Sequence, residues 1–229
     1  IARNEDEIAA KLATDNGVLI VQRYVPGVEF GVFYTRRPSA GRGRIFALTD
    51  KRTVAVTGDG RSTLERLILA DERAVCMAEF FLNYYGERGK LDEVPEAGAE
   101  VMLAELGTHC RGALFLDGGH LITPALETAV ESVSRAYSGF YFGRYDVRTS
   151  SKEALQRGEF TVIELNGVSS EATNIYDPRH SVWHGWRVLC SQWREAFYIA
   201  AENRSNGAQV LTARELKDLL GRVNPKKEA

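Results

Sequence analysis

Cysteine is scarce in this chain of 229 residues. Cys76, Cys110 and Cys190 are odd in number and far apart, so neither a disulfide framework nor a CxxC pair is encoded. A reducing, cytoplasmic setting is the expectation that follows. No apolar run approaches the roughly 20 residues needed to cross a bilayer. The opening residues lack the basic, apolar and small-residue pattern of a secretory leader, and no membrane partner is expected. Neither sign of charge dominates: 29 Lys and Arg stand against 31 Asp and Glu, which leaves no global footprint for nucleic acid. Repeats, low-complexity segments and linkers are missing too. The stretch GDGRST (58–63) fails as a P-loop, because Ala55 stands where the first glycine of that motif is needed.

What is present is an ordinary globular composition, 44% apolar and 26% charged, enough for one large domain or two small ones. NEDEIAAKLATDNG reads as a helix with Asn4 as cap, Glu7 three residues on and Gly17 as stop. VLIVQRYVPGVEFGVFYTRRP reads as two β-rich runs broken at Pro26-Gly27, and GRIFALTDKRTVAV adds one or two strands. In TGDGRSTLERLILAD, Ser62 and Glu65 have capping-box spacing ahead of a helix. RAVCMAEFFLNYYG is a second such helix, and AEVMLAELGTHCRGALFLDGG holds strands around a polar loop. TPALETAVESVSRAY is a helix capped by Thr123 with Pro124 at its first position. Strands follow near 139–148 and 159–166, and the tail from Ser181 is helical with a break at NRSNGAQ. Strands and helices mix without a βαβ rhythm, so the fold class is α+β.

The two late strands carry the chemistry. Alternation puts Phe140, Phe142, Arg144, Asp146 and Arg148 on one face of the first, and Phe160, Val162, Glu164 and Asn166 on one face of the second. A hairpin centred near residue 155 brings Asp146 opposite Glu164. Two carboxylates and an amide oxygen form a hard oxygen set suited to Mg²⁺ or Mn²⁺ rather than Zn²⁺. Arg144 beside them suits a transferred phosphoryl group. The competing reading is an ion pair of Arg144 with Asp146 or Glu164 on a solvated strand face. His180 and His184 lack an evident third ligand nearby, so packing beside Trp183 and Trp186 is expected of them instead of metal binding. Lys51 and Arg61 are candidates for phosphate contact or plain surface charge, and Arg111 for phosphate or substrate.

RYD (144–146) followed by IELN (163–166) resembles the arginine-x-acid and acid-x-asparagine pairs that close the ATP site of ATP-grasp enzymes. VLIVQRYVPGVEFGV resembles the hinge strand of that superfamily, as in D-alanine–D-alanine ligases and other carboxylate–amine ligases. TGDGRSTLERLI is similar to a loop-helix segment of cyanophycin-synthetase-like ligases. The three segments occur in the family's order. The resemblance implies an ATP-grasp fold, antiparallel sheets with flanking helices. Residues 1–50 would be the end of the lid subdomain with the adenine hinge, and 51–229 the catalytic subdomain with a helical tail. It implies ATP and Mg²⁺ as cofactors and small carboxylate and amine (or thiol) substrates joined through an acyl phosphate. Gln22 and the backbone of Arg23, Tyr24 and Val25 would meet the adenine, Tyr24 and Val25 would wall it, and Glu29 would accept from the ribose. Asp146, Glu164 and Asn166 would hold the metal, and Arg144 would steady the phosphoryl group.

The family carries a further α/β domain and a lysine-bearing subdomain ahead of the hinge. This chain opens on Ile1 only one helix before it, so it reads as a C-terminal portion that needs an upstream segment or self-association. D-alanine–D-alanine ligases follow their asparagine with a Pro-Gly loop. Here GVSSEATNIYDP stands instead, with Arg148, Ser169, Ser170, Glu171 and Tyr176 as candidates on the substrate side and Glu171 suited to an amine. A nucleotide-binding regulatory module without turnover, and a kinase-like phosphotransferase, are the alternative functions.

Overall fold

A computed structural model describes residues 2, 4–14, 19–104 and 112–223. Among these, α1 (Glu5–Thr14) comes first, and Asn4 Oδ1 accepts from Glu7 N at 2.9 Å as the capping pattern requires. A five-stranded antiparallel sheet follows from β1 (Val28–Thr35), β2 (Arg44–Arg52), β5 (Leu114–Asp117), β6 (Phe142–Thr149) and β7 (Thr161–Asn166), in spatial order β5-β2-β1-β6-β7. A separate ribbon pairs β3 (Ala55–Thr57) with β4 (Glu100–Met102). It packs with α2 (Leu64–Ala70) and α3 (Ala78–Gly86) around Leu64, Ile68 and Phe81. The fold is therefore α+β with an antiparallel sheet and flanking helices. The expected division at 50/51 falls inside β2.

β1 is central and buried on both faces, as its near-continuous burial requires. Phe30, Val32 and Tyr34 point to one side, where they meet Tyr145 and Val147 of β6 and Leu126 and Val130 of α4 (Pro124–Ala136). Thr123 Oγ1 caps α4 by accepting from Leu126 N at 3.1 Å. Burying side chains such as Leu126 and Val130 contributes about 1.5–3 kcal/mol each. On the opposite face, Phe33, Ala47 and Phe142 are covered by Ile199 of α6 (Val182–Ser205). The remainder of that face is polar, and the candidate site lies there.

Three local expectations are corrected. Residues 19–26 form no strand: Ile20 and Val21 are exposed, and β1 begins only after the turn at Gly27. The cap of α2 is Thr63, which accepts from Arg66 N, because Asp59 binds the Ser62 hydroxyl at 2.8 Å. The expected helix around RAVCMAEFFLNYYG starts as a 3-10 turn, Ala74–Met77, before becoming α3. No helix among the described residues is long and apolar enough to cross a membrane. α7 (Ala213–Val223) is the last element.

Candidate functional site

The hairpin count near residue 155 holds at the site. β6 and β7 pair antiparallel with Arg144 opposite Asn166 and Asp146 opposite Glu164. The register then shifts between Asp146 and Val147, leaving Ile163 as an extra residue on β7. The bulge corrects the expected face assignment. Phe160 and Val162 pack toward the α4 side, whereas Glu164 and Asn166 line the polar cavity. A bulge is the physical means by which one strand serves a core and a site, since a slip of one residue exchanges faces.

Strand register also brings in residues that are distant in sequence. Glu29 of β1 stands opposite Lys51 of β2 and Arg148 of β6, while Gly31 stands opposite Asp146. Lys51 Nζ lies 2.9 Å from Glu29 Oε1 and 3.0 Å from Asp146 Oδ1. Arg144 Nε reaches the same Asp146 oxygen at 3.1 Å. Arg148 donates to Glu29 Oε2 at 3.0 and 3.2 Å and to the Val25 carbonyl at 2.8 Å, with its guanidinium 5.2 Å from the Tyr24 ring centroid. Burial pushes the Glu29 carboxyl up. The Lys51 charge and the hydrogen bonds from Lys51 and Arg148 outweigh it, so the group lies below its ordinary value. Asn166 Nδ2 approaches Asp146 Oδ2 at 3.5 Å. No hydrogen bond or ion pair engages the Glu164 carboxylate among the described residues, and it is exposed to the cavity.

These groups line one cavity of about 1000 Å³, which also receives Leu12 of α1, residues 19–25, Phe115, Thr173, Glu171 and Tyr176. That volume is ample for a small-molecule or cofactor site. Gln22 Nε2 donates to the Ile163 carbonyl at 3.0 Å, which fastens the 19–25 run to the bulge on β7. The segment after Asn166 is held from behind by Gln192 of α6. Its Oε1 accepts from Ala172 N at 2.8 Å and its Nε2 donates to the Ser170 carbonyl at 3.0 Å. Arg144 then donates to the Glu171 carbonyl at 3.0 Å. Tyr176 donates to Glu171 Oε1 at 2.5 Å, and this bond together with burial pushes the phenol up to about 12.

Gln22, Arg23, Tyr24, Val25, Glu29, Lys51, Arg144, Asp146, Arg148, Glu164, Asn166, Glu171 and Tyr176 thus share the cavity. Three other candidates do not line it. Arg61 sits on the β3–β4 unit, its backbone N–H bound by Asp59. Ser169 is exposed, and Ser170 is buried with its hydroxyl on the Gly167 carbonyl at 2.6 Å. Arg111 lies outside the described residues. The Arg144–Asp146 ion pair of the competing reading is present, but inside a cavity rather than on a solvated face. Sequence reasoning missed Phe115, Thr173 and the α1 residues, because nothing local marks an apolar wall.

The donor set fits a hard divalent cation. Asp146, Glu164 and Asn166 each carry a side-chain oxygen on one sheet face, but Asn166 now turns its Nδ2 toward Asp146 Oδ2, so its amide must flip to present oxygen to an ion. Lys51 and Arg144 occupy Asp146 Oδ1, and the long Asn166 Nδ2 contact is the one that the amide flip would remove from Oδ2.

No family model matches the chain, and no curated protein matches it. Among solved structures, it is similar to a bifunctional glutathione synthetase from Pasteurella multocida, over 75% of this chain at 16% identity, with a TM-score of 0.47. The chain spans about a quarter of that protein's length, 24%.

Proposed function

We propose that the cavity binds Mg–ATP and that the chain is the catalytic portion of an ATP-grasp carboxylate–amine (or thiol) ligase. The observation that carries this reading is the facing of Asp146 and Glu164, with Arg144 and Asn166 as the next pair, on a wall shared with Gln22–Val25 and Glu29. The sequence resemblance names the same residues.

Asp146, Glu164 and Asn166 would hold the cation, whose contribution is to neutralise charge on phosphate oxygens. Residues 22–25 offer main-chain groups and the Tyr24 ring to a base. Lys51 and Arg144 are poised to exchange the shared Asp146 oxygen for phosphate oxygens, which offer denser negative charge. With both cations turned to phosphate, Asp146 is released for cation binding. Arg144 would then stabilise charge as the γ-phosphoryl group passes from ATP to a substrate carboxylate with ADP leaving, and attack by a neutral amine on the acyl phosphate would form the amide, release phosphate and give up one proton to solvent. Glu171, hydrogen-bonded to Tyr176, is suited to orient the amine.

The test is single-turnover reaction with labelled ATP, Mg²⁺ and a panel of carboxylates and amines, on this chain and on any longer parent. An acyl phosphate or amide supports the ligase. A stable phosphoester would assign a kinase-like transferase, and nucleotide binding without turnover in the parent would assign a regulatory module. Absence of nucleotide binding in the parent would overturn the reading altogether.

A further inference from the structure

Beside the cavity, the end of β5, the 3-10 turn Thr173–Tyr176 and the start of α6 meet at a second polar cluster. A carboxylate oxygen of Asp117 and one ring nitrogen from each of His180 and His184 lie within 4.8 Å of one another. His180 Nε2 is 2.8 Å from Asp117 Oδ2, and the two imidazoles stack with centroids 3.9 Å apart. The expected aromatic packing of these histidines is therefore corrected. They stack on each other, while Trp183 and Trp186 are 75% and 63% exposed.

Two buried atoms here lack a protein partner. One is His184 Nε2, and the other is Oδ1 of Asn174, a residue only 7% exposed whose side chain lies against the Asp117 carboxylate. Buried polar atoms are rarely left unpaired, because each forfeits its bond to water. Asp177 does not compete for the cluster, since Arg179 and the Asp117 backbone N–H hold its carboxylate.

We propose that Asp117, His180 and His184 form a binding site for a transition-metal ion of the Zn²⁺ type, with water completing the coordination. Two imidazoles are borderline donors, and beside a single carboxylate they favour Zn²⁺ over Mg²⁺. The site does not rest on the nucleotide reading, whose oxygen donors lie elsewhere on the sheet. Tetrahedral coordination separates donors by about 3.3 Å. The His180–Asp117 contact therefore opens slightly, and the two stacked imidazoles turn about their side-chain bonds so that a nitrogen of each points at the same ion. Binding needs His180 as the neutral tautomer with its hydrogen on Nδ1, reached by exchange with solvent, so that the Nε2 lone pair faces the ion. The ion would clip β5 to α6 across the turn whose Thr173 lines the cavity.

The experiment is titration of chelator-treated, desalted chain with Co²⁺, read by the d–d absorption of the bound ion, with Zn²⁺ and Mg²⁺ as competitors. The expected result is one ion per chain with the intense band of a tetrahedral site, displaced by Zn²⁺ and not by Mg²⁺. His184→Ala and His180→Gln should each lower Co²⁺ affinity by at least about tenfold, and Zn²⁺ should raise the unfolding temperature of the wild type but not of these variants. His180 sits outside the helix, so its variant keeps the test open if His184→Ala does not fold. A weak octahedral spectrum, a stoichiometry other than one, or unchanged affinity in the folded variants would overturn the proposal.

Discussion

Asp146 and Glu164 face each other across β6 and β7, yet they stand in opposite electrostatic situations. Asp146 is 6% exposed and shares one oxygen between Lys51 and Arg144, whereas Glu164 is exposed without a partner among the described residues. The two carboxylates should therefore separate in a mutational test. Glu164→Gln should change stability by no more than about 0.5 kcal/mol while weakening Mg-dependent nucleotide binding. Asp146→Asn should also destabilise the fold, by about 3 kcal/mol, because it leaves buried cations short of a partner. Chemical denaturation beside calorimetric titration of Mg–ATP reads both. Equal stability losses in the two variants would contradict the assignment.

Glu29 governs an acid-sensitive part of the stability. Its carboxyl lies below the ordinary value of 4.5 in the folded chain. A depressed carboxylate stabilises above its unfolded pKa, and that stabilisation is lost as pH falls through the folded one. Unfolding free energy should thus decline as pH drops below about 4.5, and Glu29→Gln should flatten this part of the profile. At neutral pH the same variant should cost about 2–4 kcal/mol, since Lys51 and Arg148 both lose their shared partner. A wild-type profile that the variant reproduces unchanged would remove Glu29 from this role.

Gly27 sets the course of the 22–25 run. Its φ is +115°, and a Cβ there would meet the Thr149 carbonyl oxygen at 2.2 Å. Gly27→Ala should cost about 1–3 kcal/mol and loosen the Val25–Arg148 hydrogen bond, weakening nucleotide binding along with stability. Gly89 has φ +63° with open space around it, so Gly89→Ala is the control and should cost only about 1 kcal/mol with binding intact. Thermal melts and nucleotide titration of the two variants make the comparison.

Gln192 holds the segment behind Asn166. It is 1% exposed and makes both of its bonds to the main chain at Ser170 and Ala172. Gln192→Leu should leave that N–H and that carbonyl buried without partners, at about 1–3 kcal/mol for each. Hydrogen exchange at Ala172 N should accelerate in the variant, and exchange in α4 should not. Unchanged protection at Ala172 would show that the segment is held by other contacts.

Much of the site could be read along the chain because β-hairpin pairing is arithmetic. A turn centred near 155 places 146 opposite 164 whatever lies between, and α5 (Lys152–Gln156) fits inside the connection without altering the sum. The bulge at Ile163 was hidden, since alternation alone cannot show where a strand gains a residue. The conflict between apolar Val162 and charged Glu164 on one nominal face was its only trace. The run 19–25 has strand composition, but it takes a Gln22 side-chain bond to β7 instead of a ladder.

The sequence by itself determined the α+β class, the capped helices α1 and α4, and the order of the Asp146, Glu164 and Asn166 set, all properties of neighbours within one turn or one hairpin. Only the tertiary structure decided that Lys51 is a buried hub rather than surface charge, because the pairing of β1 with β2 sets it against Glu29 and the pairing of β1 with β6 brings Asp146 alongside. It also brought Asp117 to His180 across 63 positions of chain. Charges that cross such distances meet through sheet order and helix docking, which depend on burial of apolar surface elsewhere and leave no local spacing to read.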